Sequence, residues 1–183
     1  IGQTYSGKTK ITETLAKAIS SIDNDINFEH QVIVHTINPK SVSQSQLYGN
    51  FDNNTHEWTD GILAVLYRKC ASDHSGNLMW LMFDGPVDAV WIEDMNTVLD
   101  DNKKLCLHSG EIMKLSSTMT MMFEAEDLQA ASPATVSRVG MIFLEQERLS
   151  WRPLVKSWLN TLPPSIFKTL APHQITDLFE CYF

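Results

Sequence analysis

Residues 2–9 read Gly-Gln-Thr-Tyr-Ser-Gly-Lys-Thr, a complete match to GxxxxGK[ST]. No other stretch narrows the fold so far, because the pattern works only between a buried strand and a helix. Gly2 and Gly7 permit backbone conformations that turn successive N–H groups inward, and Gln3, Thr4, Tyr5 and Ser6 complete the resulting anion-binding nest. The helix opening at Gly7 adds the positive end of its dipole. In such a loop Lys8 reaches the β- and γ-phosphates, and the Thr9 hydroxyl ligates the Mg²⁺ that bridges them. The expected ligand is therefore ATP with Mg²⁺. A chance match is expected on the order of once per hundred chains of ordinary composition. Residues 7–20 supply the required context, with Ile11, Leu15, Ala18 and Ile19 at helical spacing.

A phosphate loop of this kind needs a carboxylate at the end of a neighbouring strand to hold the metal. Asp84 fits, because it closes Leu78–Phe83 (LMWLMF), a continuous apolar run that suits a central strand covered on both faces. Cleavage needs a further group to orient the attacking water, and the next position is Gly85. Asp88 reads as an acid in the first turn of a helix, and Glu93 and Asp94 as solvated helix charges. The site is thus expected to bind ATP but to cleave it poorly.

The remaining pattern predicts strands at 31–37, 119–123 and 139–144, and helices at 41–47, 57–71 and 87–99. A hairpin is expected at 104–115, turning at Ser109-Gly110. Alternation of strands and helices implies an α/β doubly wound parallel sheet with a β-hairpin insert. From Glu145 the character changes to a helical stripe, Trp151, Leu154, Val155, Trp158 and Leu159, broken at Pro163-Pro164, with more helix to Phe183. The expected organisation is a nucleotide-binding unit at 1–144 and the start of a helical lid at 145–183. The opening directly on the loop suggests a piece of a longer polypeptide.

Fourteen Lys and Arg against 22 Asp and Glu give a net charge of −8, which argues against a nucleic-acid partner. No apolar run approaches the roughly 20 residues of a membrane span. Cys70, Cys106 and Cys181 lack metal-ligand spacing and read as free thiols.

Three longer segments resemble the dynein heavy chain family: INPKSVSQSQLYGNFDNNTHEWTDGIL, FDGPVDAVWIEDMNTVLDDNKKLCLHSGE and MMFEAEDLQAASPATVSRVGMIF. The similarity covers nearly all of residues 1–160 and is closest to the second AAA+ module of the ring, in the axonemal branch. The resemblance implies a P-loop NTPase (AAA+) fold, with residues 2–9 as nucleotide loop and Asp84 as Walker B aspartate. It puts Glu124 at a sensor position that is commonly Asn, where an acid repels the γ-phosphate. It makes Arg138 an arginine finger that serves the preceding module's ATPase in trans. It further implies neighbouring AAA+ modules of the same chain as partners. Through an ATP-hydrolysing parent motor it implies microtubules and dynein intermediate and light chains, in cytoplasm, cytoskeleton and cilium or flagellum axoneme. Tyr5 and Gln3 depart from the family pattern. Two other functions stay open on the residues: an independently active phosphate-loop ATPase, and a structural module that holds no nucleotide.

Overall fold

In this computed structural model, residues 1–25, 31–168 and 171–182 are described. They fall into two compact units, Ile1–Leu144 and Glu145–Phe183.

In the first unit, helix α1 (Lys8–Asp25) leaves the loop and leads to strand β1 (Val32–Ile37). A 3₁₀ turn at Pro39–Ser41 precedes helix α2 (Gln44–Tyr48), which Ser43 and Gln46 cap reciprocally. Strands β2 (Gly49–Phe51) and β3 (Trp58–Asp60) pair antiparallel and feed helix α3 (Ile62–Ala71). Strand β4 (Leu78–Asp84) is followed by the short helices α4 (Ala89–Glu93) and α5 (Asn96–Leu99). A hairpin of β5 (Lys104–Cys106) and β6 (Ile112–Lys114) leads to strand β7 (Met119–Glu124) and helix α6 (Pro133–Val136).

The parallel sheet has the order β1-β4-β7. Its centre is the apolar run: Met79 to Phe83 are all buried, as expected for a strand covered on both faces. Phe83 stacks on Trp91 (5.9 Å) and on Phe123 (5.1 Å), which also meet each other at 6.2 Å, and the cluster ties β4 to α4 and β7. Each such side chain contributes about 1.5–3 kcal/mol by leaving water. The register pairs Asp84 with Glu124, so two carboxylates end adjacent strands at the same sheet edge. That edge, the carboxyl ends of the strands, is where open α/β sheets place ligands.

Three expectations need correction. The helix expected at 57–71 begins only at Ile62, because Trp58–Asp60 pair with Gly49–Phe51 and Gly61 holds an extended φ of −84° and ψ of 169°. The helix expected at 87–99 is two pieces: its i−4 pattern fails at Met95, whose N–H bonds to Ile92 O instead, an i−3 bond. Residues 139–144 form no regular strand. Ile142 O nonetheless accepts from Ile1 N at 2.8 Å, and Leu144 N donates to Ile1 O at 2.9 Å, the bonding of one parallel bridge. Gly2 N donates to Ala125 O (3.3 Å) and Glu126 O (3.1 Å), so Ile1-Gly2 runs between the end of β7 and residues 142–144.

The second unit holds helices α7 (Gln146–Leu149), α8 (Arg152–Leu159) and α9 (Pro172–Tyr182). Trp151 and Trp158 of the predicted stripe both meet Phe179, at 5.8 and 6.2 Å. The end of the expected tail helix, Phe183, lies outside the described residues. Among the described residues no helix is long and apolar enough to cross a membrane, no group of three or more acids, His or Cys has the geometry of a metal cluster, and the three cysteines are free.

Candidate nucleotide site

The loop between Ile1 and α1 curls as the glycine pattern requires. Gly7 has φ 82° and Tyr5 φ 66°, two left-handed residues of the kind that backbone anion nests use. Ser6 N donates to Gln3 O at 3.2 Å and closes the curl. Gly2 is needed for space: a Cβ there would lie 2.3 Å from Leu144 O and 2.9 Å from Ser6 Oγ. Tyr5 pays the strain of its φ but avoids a clash by pointing out, 82% exposed.

Lys8 Nζ lies over the loop, donating to Gly2 O at 2.5 Å and Gln3 O at 2.9 Å. Thr9 Oγ1 donates to Glu124 Oε1. Glu124 in turn stands beside Asp84 in the sheet register, and Gly85 N donates to Glu124 O at 3.2 Å. The structure therefore gathers Lys8, Thr9, Glu124 and Asp84 around one sheet edge. The hydroxyl and the carboxylates are hard oxygen donors suited to Mg²⁺, and the ammonium suits the phosphates themselves. Ser6 Oγ is buried with no hydrogen-bond partner among the described residues, beside Gly2 in the curl, and a cradle with an unspent polar group suits an anionic ligand.

Gly85 puts no side chain at the position after Asp84. A Cβ at that position would meet Asn38 Oδ1 at 3.0 Å and Pro39 Cδ at 3.6 Å, so a side chain there would crowd the end of β1. Asp88 serves its own helix, accepting from Val90 N, and pairs with Lys40 Nζ at 2.5 Å, which holds its carboxyl below the usual range. Asp94 accepts from Gln44 Nε2 at 2.8 Å.

Arg138 is engaged away from the loop. Its Nε donates to Asp100 Oδ1 at 2.5 Å, Nη2 to Asp100 Oδ2 at 3.4 Å, and Nη1 to Ala134 O at 2.9 Å. A cavity of about 410 Å³ between α1 and the 128–142 stretch is mostly apolar, lined by Ile11, Leu15, Met121 and Ile142 among others. Its lining includes Lys8 and Glu124 of the site as well as Arg138, so it opens beside the phosphate loop. Sequence reasoning passed over Asn38 and Asp100. Asn38 is a polar residue at the carboxyl end of a strand, a signal that could have flagged it. Asp100 carried no such signal.

A glycine-curled loop, a helix dipole and acids at the ends of parallel strands define a nucleotide-binding α/β domain of the phosphate-loop class. Residues 1–139 match the family described as AAA domain (dynein-related subfamily), and the chain belongs to that family. It is 48% identical over 182 residues to dynein axonemal heavy chain 12 of Mus musculus, covering 98% of this chain and 6% of that protein. It is 50% identical over 180 residues to human dynein axonemal heavy chain 3, covering 98% and 4%. It is 54% identical over 186 residues to mouse dynein axonemal heavy chain 1, covering 100% and 4%. The chain thus spans only about one twentieth of these relatives.

Proposed function

We propose that this chain is a nucleotide-holding AAA+ module of an axonemal dynein heavy chain, the second in the motor ring, which binds ATP-Mg²⁺ and hydrolyses it little. The observation that carries this is the shared edge of β4 and β7. Asp84 is followed by a glycine, and an acid, Glu124, rather than a neutral amide sits on the Thr9 hydroxyl.

In this reading the N–H groups of residues 2–9 and the Lys8 ammonium hold the phosphates. Thr9 and Asp84 hold the metal, which when bound offsets phosphate charge. Glu124 adds negative charge where a hydrolysing site needs a neutral group to steer water, and Gly85 offers no base. Arg138 serves the preceding module in trans, its guanidinium placed to offset charge on that module's γ-phosphate. The 145–183 unit is the start of the helical small subdomain. The neighbouring modules, microtubules, and intermediate and light chains are the partners of the whole motor, in the cytoskeleton of cilia or flagella.

A single-turnover experiment tests the reading: ATP labelled at the γ-phosphate and bound to the chain is expected to remain ATP over many minutes. Release of labelled phosphate from the chain alone, abolished by Lys8→Ala, would favour the independent ATPase instead.

A further inference from the structure

The guanidinium of Arg138 has five N–H groups, and Asp100 with Ala134 O takes three of them, leaving one on each terminal nitrogen uncommitted among the described residues. Asp100 grips the side-on edge, Nε and Nη2. The two remaining N–H groups are the inventory for a further anion, and the side chain is 29% exposed. The acid is itself anchored. Asp100 N donates to Asn96 O at 3.1 Å, and Asp100 O accepts from Lys103 N at 2.9 Å. The opposite end of α5 is tied to α6 by Thr135 Oγ1 donating to Asn96 Oδ1 at 2.9 Å, with Thr135 buried. Arg138 N donates to Thr135 O at 3.1 Å. Two residues of one short helical segment therefore hold both the base and the tip of Arg138.

We infer that Asp100 is a positioning residue for Arg138: it fixes the guanidinium by its side-on edge and presents the remaining N–H groups to a phosphate anion on a neighbouring module. An exposed ion pair adds little to stability, with a typical value within about 1 kcal/mol, so stability alone is a weak reason for it. Orientation is a stronger one, since a misplacement of about 1 Å in a catalytic group costs on the order of 10²-fold in rate. The inference rests on the trans reading of Arg138.

The test uses the full-length heavy chain and compares Arg138→Ala, Asp100→Ala and Asp100→Asn. The readouts are kcat and KM of the preceding module's ATPase, with nucleotide binding at residues 2–9 as a control. Asp100→Ala is expected to lower kcat by about 10–100-fold with KM nearly unchanged. Asp100→Asn is expected to recover most of that loss, because its amide oxygen still accepts from Nε. If Arg138→Ala is slow while Asp100→Ala turns over normally, the positioning role is overturned and the trans finger survives. If Arg138→Ala turns over normally, the trans finger itself fails, and this inference with it. If Asp100→Ala also abolishes nucleotide binding at residues 2–9, or Asp100→Asn is no better than Asp100→Ala, the residue is structural and the inference is wrong.

Discussion

Replacing Gly2 by Ala separates a phosphate cradle from a coincidental turn. The added Cβ would start 2.3 Å from the Leu144 carbonyl oxygen, inside any real contact, so the backbone at Leu144 must retreat by about 1 Å. That retreat breaks the two bonds that knit Ile1 to Ile142 and Leu144, at about 1 kcal/mol each. Holding alanine near φ 151° adds about 1 kcal/mol or more. The native curl of the loop is then disfavoured by about 3 kcal/mol, which makes it a minor state and weakens apparent affinity by roughly 150-fold. At a ligand concentration of about 100 times the parent dissociation constant, the parent gains about 2.7 kcal/mol. For a chain of this size that is a rise in melting temperature of roughly 5–10 °C. The variant should gain only about 0.3 kcal/mol, a shift of about 1 °C or less. The assay is a thermal melt with and without ATP-Mg²⁺. A Gly2→Ala chain that melts like the parent and shows the full nucleotide shift would refute the steric reasoning and the cradle together.

Other perturbations probe separate parts of the site. Tyr5→Gly relieves a left-handed φ of 66°, about 1–2 kcal/mol for an L residue, and should tighten ATP affinity by up to roughly tenfold in a titration; unchanged or weaker binding would show that the strain is not felt by the ligand. Glu124→Gln removes a charge from the group on Thr9 and should strengthen ATP binding in the absence of Mg²⁺, measured by calorimetry in chelator; weaker binding would mean that Glu124 does not repel the triphosphate. Hydrogen bonds from Arg68 and Trp58 hold the Asp60 carboxyl below its ordinary range, so its contribution is present above the unfolded value near 4 and is lost as pH falls through the lower folded value. Arg68 also pairs with Glu111 at 2.6 Å, so the stability gap between the parent and Arg68→Ala, about 1 kcal/mol per exposed pair at most, should close as both acids protonate; a gap that widens below pH 4 would contradict this.

The parts of the fold that could be read from sequence are those whose signal is local. The LMWLMF run is buried on both sides whatever its partners, and the phosphate loop depends on the backbone freedom of Gly2 and Gly7 in one short segment. The β2–β3 hairpin was misread because Trp58, Ile62, Val65 and Leu66 follow a helical period across Gly61. Its turn is set by the Asp52 side chain accepting from Asn54 N and Thr55 N and by His56 at φ 54°, which periodicity does not register. Residues 139–144 have strand composition, but among the described residues only Ile1 bonds to them as a strand neighbour would. In the site, the residue types could be placed by motif, but their pairings could not. Thr9 meets Glu124 across 115 residues, and Arg138 meets Asp100 across 38. The bonds of Gly2 N to Ala125 O and Glu126 O bring the loop beside the end of β7 for the first, and the packing of two short helices decides the second.

Equilibrium dialysis of the purified chain against labelled ATP, with and without Mg²⁺, tests the central claim most directly. The account predicts saturable binding of one nucleotide per chain, weakened by removal of Mg²⁺ and lost in Lys8→Ala. No binding at millimolar ATP, or equal binding in Lys8→Ala, would contradict it.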